Sequence, residues 1–344
     1  MITSSRVLVG LVVLACLGAG CSKDQVAADP ADTNTPGSPS TVGATVDGGA
    51  ATPTGSTTPP PTTRPLPELP AGGALRAVQT ATGVTAAVSA VRADGSIVVV
   101  SPCGRDVAVR GATPIRGAHV VLDPGHGGSE SGAVGPGGLK ESELNLAVAQ
   151  ETKRILEAAG VAVVLSRTAD YRITLASRAR IATALGAAAF VSIHHNAGPD
   201  HQQGVPGTEV YYQAADERAS KRLAGLVHEE VVAALSPYAL SWSAFRDAGV
   251  KIRVNQQGED YYGILRSTAG VPSALAELAY VTNAPEEVLL KTAAFRTVEA
   301  QAVARGIVRF LTTDDPGSGF VGPSDRTEPA GPGGGSQGCV DPPL

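Results

Sequence analysis

The chain lacks any cluster of basic residues, and with a formal net charge of −5 over 344 residues it presents nothing that would hold a nucleic acid. It also lacks the G-x-x-x-x-G-K-[ST] pattern. The glycine-rich stretch Gly127 to Gly138 contains no lysine, which excludes a phosphate-cradling loop. No internal repeat is visible. Cysteine is scarce, and Cys103 and Cys339, the two beyond the amino-terminal leader, lack metal-ligand spacing. The uncharged apolar run Val7 to Gly20 is too short to cross a bilayer comfortably.

What that run does have is the flanks of a signal peptide: Arg6 before it and Cys21-Ser22 after it. LGAGC resembles a bacterial lipoprotein cleavage box with Cys21 as the lipidated residue, although Gly18 stands where a larger aliphatic is usual. Cys16 is a second candidate, and an ordinary secretory signal is the alternative. Each reading exports the chain, either to the outer face of the cytoplasmic membrane through a lipid anchor or to the cell wall. In that oxidising compartment Cys103 and Cys339 are expected to form a disulfide tying the far tail to the segment before the core.

The composition predicts five parts. Residues 1–21 are the leader. Residues 22–70 are rich in Pro, Thr and Gly, offer almost nothing to bury and read as a disordered linker. Residues 71–117 alternate short apolar runs, with Asp94-Gly95 as a hairpin signal between two of them, and read as a small β appendage. Residues 118–313 read as the main folded domain, a single core of roughly 200 residues. Residues 314–344 read as a disordered tail.

Within 118–313 the pattern alternates strand and helix. Strands are predicted at 119–123, 161–166, 188–194, 208–213 and 273–280, and helices at about 142–159, 174–185, 215–235 and 285–311. The fold class is therefore α/β, with a mostly parallel central sheet flanked by helices. SALAELAY has helix-favouring residues, but Pro272 before it and Thr-Asn-Ala-Pro after it leave room for only about eight residues, which suits a strand better. Ser236 to Gly258, which contains Trp242, has no clear period and reads as a flap over a cleft or as an exposed loop.

The chain is organised around His119 to Gly128, HVVLDPGHGG, a short buried strand that ends at Pro124 and presents His126 on the following loop. The carboxyl end of a strand is where ligands bind in open α/β sheets. Gly125, Gly127 and Gly128 remove side chains around the imidazole. The following helix offers Glu141, Glu143 and Glu151. At 100° per residue, Glu141 falls in the apolar arc of Leu144, Leu146, Val148, Ala149, Ile155 and Leu156, Glu143 nearly opposite, and Glu151 at the boundary. A carboxylate on the buried side is costly unless paired or bound to a metal. In FVSIHHNAG, strand alternation sends His194 and His195 to opposite faces, so only one joins a given site easily, and alternation leaves open which. Glu277 is the lone charge in PSALAELAYVTN.

GHGG, KESELNLA, SIHHNA and ALAELAYVTN, in this order, resemble the zinc-dependent N-acetylmuramoyl-L-alanine amidases of bacterial cell walls, over about Gly117 to Leu311. The resemblance implies one zinc ion per chain on His126, Glu141 and His194, with Glu277 acting in catalysis and peptidoglycan as substrate. It selects His194 over His195, where the family usually has a small residue. Ala279-Tyr280 stands where Gly-Phe is common. Arg266 matches a basic position common in the family and is a candidate for meeting a substrate carboxylate, and Asn196 for orienting His194 or a substrate carbonyl. The rival readings are a zinc peptidase acting inside the stem peptide and a wall-binding protein without chemistry. Whether a protein activator takes part is left open.

Overall fold

A computed structural model describes residues 62–69, 74–198, 201–317, 326–327 and 334–344. The expected leader, the Cys21 lipidation site and most of the 22–70 linker lie outside the described residues. Among the described residues no helix is long and apolar enough to cross a membrane.

Five strands come first: β1 (Ala77–Gln79), β2 (Thr85–Val91), β3 (Ile97–Val100), β4 (Asp106–Val109) and β5 (Thr113–Ile115). They form an antiparallel sheet in the order β4-β3-β2-β1-β5, with Val78, Ala86, Val99 and Val109 as its small core. This is the appendage that the alternation of 71–117 predicts.

The α/β part runs β6 (Val120–Pro124), α1 (Glu141–Ala158), β7 (Val163–Leu165), α2 (Leu175–Leu185), β8 (Ala189–Asn196), β9 (His201–Gln203), β10 (Glu209–Tyr212) and α3 (Glu217–Leu235). It continues with β11 (Trp242–Ala244), β12 (Val250–Lys251), β13 (Arg253–Val254), α4 (Gly263–Ser267), β14 (Ser273–Tyr280), α5 (Ala284–Leu290) and α6 (Ala293–Thr312), and β15 (Arg326–Thr327) follows in the tail. The six-stranded central sheet has the order β12-β10-β14-β8-β6-β7. β7, β6, β8 and β14 are mutually parallel, and β10 joins β14 antiparallel. The sheet is therefore mostly parallel, and alternate side chains feed two cores. Leu122, Val191, Ile193 and Ala276 meet α1, α3 and α6 on one face, while Val121, Phe190 and Leu275 meet α2 and α4 on the other.

The single helix expected at 285–311 is two. Asn283 caps α5 through Glu286 N–H, the chain turns at Lys291, and Thr292 caps α6 by accepting from Phe295 N–H. The stretch 236–258, expected to be a flap or an exposed loop, instead holds β11, β12 and β13, with Trp242 fully buried in the core. It is a packed part of the domain because β11 pairs with β9 and β12 extends the central sheet.

Both flanking segments also correct the expectation of disorder where they are described. Arg64 donates to the carbonyls of Leu311 (3.1 Å) and Phe310 (3.0 Å), satisfying acceptors that the end of α6 leaves unpaired. His119 holds the carbonyl of Pro67 at 2.8 Å, and Leu66 packs against the core. At the other end, the Cys103–Cys339 disulfide closes across 236 residues of sequence and fixes the final segment to the appendage.

Candidate metal centre

β6 and β8 are neighbours in the sheet, so their carboxyl ends deliver His126 and His194 to one edge, where the first turn of α1 brings Glu141. The donor atoms of His126, Glu141 and His194 all lie within 4.8 Å of one another. Glu141 Oε2 stands 3.2 Å from His126 Nε2, and Glu141 Oε1 stands 2.9 Å from His194 Nδ1. Donors bound at about 2.0–2.1 Å to a tetrahedral zinc ion are separated by about 3.3 Å, so the trio suits such an ion. Two imidazoles and one carboxylate are also the donor set of a catalytic zinc site, which leaves a fourth position for water or substrate.

The charge states agree with ligation. Burial alone would push the Glu141 carboxyl up, but the hydrogen bonds and charges of His126 and His194 outweigh it and hold the group well below the ordinary carboxylate range. Burial pulls His194 down from its ordinary value, which favours the neutral imidazole a metal requires. Glu141 is further fixed by Ala133 N–H at 2.9 Å and by the Asn145 side-chain amide at 3.1 Å, one helical turn on.

The backbone is shaped to let the ligands meet. His126 itself has φ +60°, a left-handed conformation uncommon for a residue with a side chain. Two cations lock this turn. Arg178 donates to the carbonyls of Pro124 (2.7 Å) and His126 (2.5 Å), and Arg167 donates to those of Pro124 (2.9 Å) and Gly125 (3.0 Å). Gly125 is required by close approach, since a Cβ there would lie 2.2 Å from His194 Cε1. At Gly132 it would lie 2.4 Å from Glu141 Oε2, in a position that already has φ +66°. These glycines therefore make room for the ligands themselves, beyond opening a path to the imidazole.

Asp123 anchors the arrangement from below. It is buried, pairs with Arg178 at 2.7 Å and accepts from Ser192 at 2.7 Å and from Ser166. Burial raises its carboxyl, but Arg178 and the two serines hold it below the usual range.

Glu277 sits on β14 directly opposite His194 on β8. Its Oε2 is shielded from solvent and has no hydrogen-bond partner. Burial pushes its carboxyl well above the ordinary range, and the charges of Glu141 and Glu209 push the same way, against Arg253. Glu209, its opposite number on β10, is buried and ion-paired with Lys251.

The remaining expected site residues fall elsewhere. His195 turns to the other face of the sheet, where Nδ1 meets Asn145 Oδ1 at 2.8 Å and Nε2 meets Glu299 Oε1 at 3.3 Å. Asn196 donates to Glu209 at 2.5 Å and orients that carboxylate, where His194 or a substrate carbonyl was the expected partner. Arg266 is exposed, and its guanidinium donates to the carbonyls of Asp260 and Tyr261, closing a turn. The sequence reading missed Glu209, although it carries the signal that singled out Glu277, a lone acid in the apolar strand GTEVYY. It also missed Arg178, whose place among Leu175, Ala179 and Ala182 puts a cation on the apolar face of α2.

His126 and His194 open into a cavity of about 520 Å³ whose lining also includes Asp123, Leu175, Ile264 and Gly334. With this geometry in view, the comparisons with known proteins are specific. The chain is 36% identical over 214 residues to the uncharacterized protein YqiI of Bacillus subtilis, covering 62% of this chain and 92% of that one. It is 36% identical over 198 residues to the N-acetylmuramoyl-L-alanine amidase LytC of the same organism, covering 57% of this chain but only 36% of LytC. Among solved structures, the amidase AmiC2 of Nostoc punctiforme matches 56% of this chain and 96% of its own at 35% identity, with a TM-score of 0.46. The family model described as N-acetylmuramoyl-L-alanine amidase matches residues 120–309, from the first strand of the central sheet to the last helix. The chain thus belongs to the N-acetylmuramoyl-L-alanine amidase family.

Proposed function

We propose that this protein uses one zinc ion to hydrolyse the amide bond between the lactyl group of N-acetylmuramic acid and L-alanine in peptidoglycan. The observation that carries the reading is the meeting of His126, Glu141 and His194 with Glu277 on the adjoining strand, in a member of the amidase family.

His126, Glu141 and His194 would hold the ion. When bound, zinc supplies Lewis acidity toward the scissile carbonyl and lowers the pKa of a coordinated water to about 7. The residues of the chain do the rest. Arg178 and Arg167 keep the His126 turn rigid, so the ligands are positioned before substrate arrives. Glu277 accepts the proton of the attacking water and returns it to the departing amine, work for which an unpartnered carboxylate oxygen suits it. The amide C–N bond breaks, leaving a lactyl carboxylate on the glycan and a free amino group on L-alanine.

The leader and Cys21 support export, with the enzyme held at the outer face of the cytoplasmic membrane by a lipid or released to the wall. Cell-wall remodelling or daughter-cell separation is the setting this activity serves. Digestion of purified sacculi followed by mass spectrometry tests the reading. Stem peptides freed with an L-alanine amino terminus support it, whereas shortened stems still attached to sugar would assign a peptidase.

A further inference from the structure

We propose that the disulfide-anchored segment Gly334–Leu344 is a fixed strap that narrows the metal-bearing cleft and selects against bulky, cross-linked peptidoglycan. This inference rests on the amidase reading above.

The segment offers almost nothing to bury, yet it is held along its length. Cys339 is bonded to Cys103. Asp341 accepts from Cys103 N–H at 2.7 Å and pairs with Arg105 at 2.6 Å. Leu344 packs into the appendage core. Arg172 donates to the carbonyls of Gln337 (2.7 Å) and Gly335 (3.0 Å), and Leu175 N–H donates to the carbonyl of Gly334 at 3.0 Å. Such a set of restraints on a Gly-rich chain offsets an ordering cost that its own burial could not.

The restraints end at the cavity. Gly334 and Leu175 line it together with His126 and His194. The contact is tight, since a Cβ on Gly334 would lie 2.2 Å from Leu175 Cγ, and its φ of +71° also calls for glycine. Arg172 extends the wall by pairing at 2.8 Å with Glu130, on the loop that follows His126. The strap is thus clamped to the appendage at one end and to the lip of the site at the other. This gives the appendage a purpose: it sets where the strap lies. A fixed wall beside the ligands leaves a single muramoyl peptide room to enter but obstructs a stem that carries a cross-linked neighbour.

The test compares the wild-type chain with Cys103→Ser/Cys339→Ser and with a chain ending at residue 333, each checked for a cooperative melting transition. A soluble monomeric muramoyl peptide and intact cross-linked sacculi are the substrates. Releasing the strap is expected to raise kcat/KM on sacculi several-fold while leaving the monomer unchanged. Tris(2-carboxyethyl)phosphine, a reductant without thiols, gives the same comparison on the unaltered sequence. The phosphine takes up oxygen from water to become its oxide as the Cys103–Cys339 bond takes up two electrons and two protons to give free thiols. An unchanged ratio between the two substrates, or an equal fall on both, overturns the strap. Failure of the wild-type chain to cleave the monomer overturns the amidase reading instead. In that event co-sedimentation of the metal-free proteins with sacculi decides the strap, with tighter binding after release supporting it and equal binding overturning it.

Discussion

Glu277 and His194 face each other across adjacent parallel strands, the carboxylate one strand away from a proposed metal ligand. The register of β14 against β8 fixes that relation, so the proposed proton carrier and the proposed ligand share a rigid support. Glu277→Gln keeps the shape and removes the base. It is expected to retain one zinc ion per chain while turnover falls by about 10²–10⁴-fold, the usual contribution of a positioned acid or base. Metal analysis and a rate assay on the same preparation check this, and an active, zinc-loaded variant would refute the role given to Glu277.

The two adjacent histidines separate the proposed ligand from a bystander. His194→Ala and His126→Ala are expected to lose zinc together with activity. His195→Ala should keep the metal, because its ring lies on the opposite face with Asn145 and Glu299. Its cost falls on stability, about 1–3 kcal/mol for leaving buried polar partners unpaired. Zinc content and thermal melts of the three variants distinguish the outcomes.

The buried pair Asp123–Arg178 should make stability depend on acid pH. Arg178, Ser166 and Ser192 hold the folded carboxyl below its ordinary value. Its contribution is therefore complete above the unfolded pKa of about 3.9 and fades as pH falls through the lower folded value. Asp123→Asn should be less stable at neutral pH by about 3–5 kcal/mol, because Arg178 is left buried without its charge partner. It should also show a shallower loss toward acid, measured by urea melts at several pH values.

Reduction of Cys103–Cys339 should lower the unfolding free energy by about 2–4 kcal/mol, since the bond restrains a long stretch of the unfolded chain. Melts with and without dithiothreitol, compared in the Cys→Ser double variant, isolate the effect. A reduced wild-type chain as stable as the oxidised one would contradict it.

Much of the site was legible because its chemistry conflicts with its surroundings. Glu141 stood out as an acid in an apolar helical arc, and Glu277 as an acid in an apolar strand. Helical phase also separated Glu141 from the exposed Glu143. Strand alternation sent the two histidines to opposite faces, but it could not say which of them joins His126 and Glu141. That needed the position of α1 and the resemblance. The expected boundaries of β14 match because Pro272 and Asn283 stop it at both ends. The break between α5 and α6 was hidden because Lys291-Thr292 contains neither glycine nor proline, and only the Thr292 cap marks it. Three-dimensional partnership was illegible where it joins distant segments. Asn196 reaches Glu209, and Arg64 reaches the end of α6, through contacts that no local period encodes.

The most direct measurement is mass spectrometry of the products released from purified peptidoglycan, with and without a zinc chelator. The expected result is free stem peptides bearing L-alanine at the amino terminus, abolished by the chelator and restored by added zinc. Stems trimmed internally while still joined to muramic acid, or release that persists unchanged in the chelator, would contradict it.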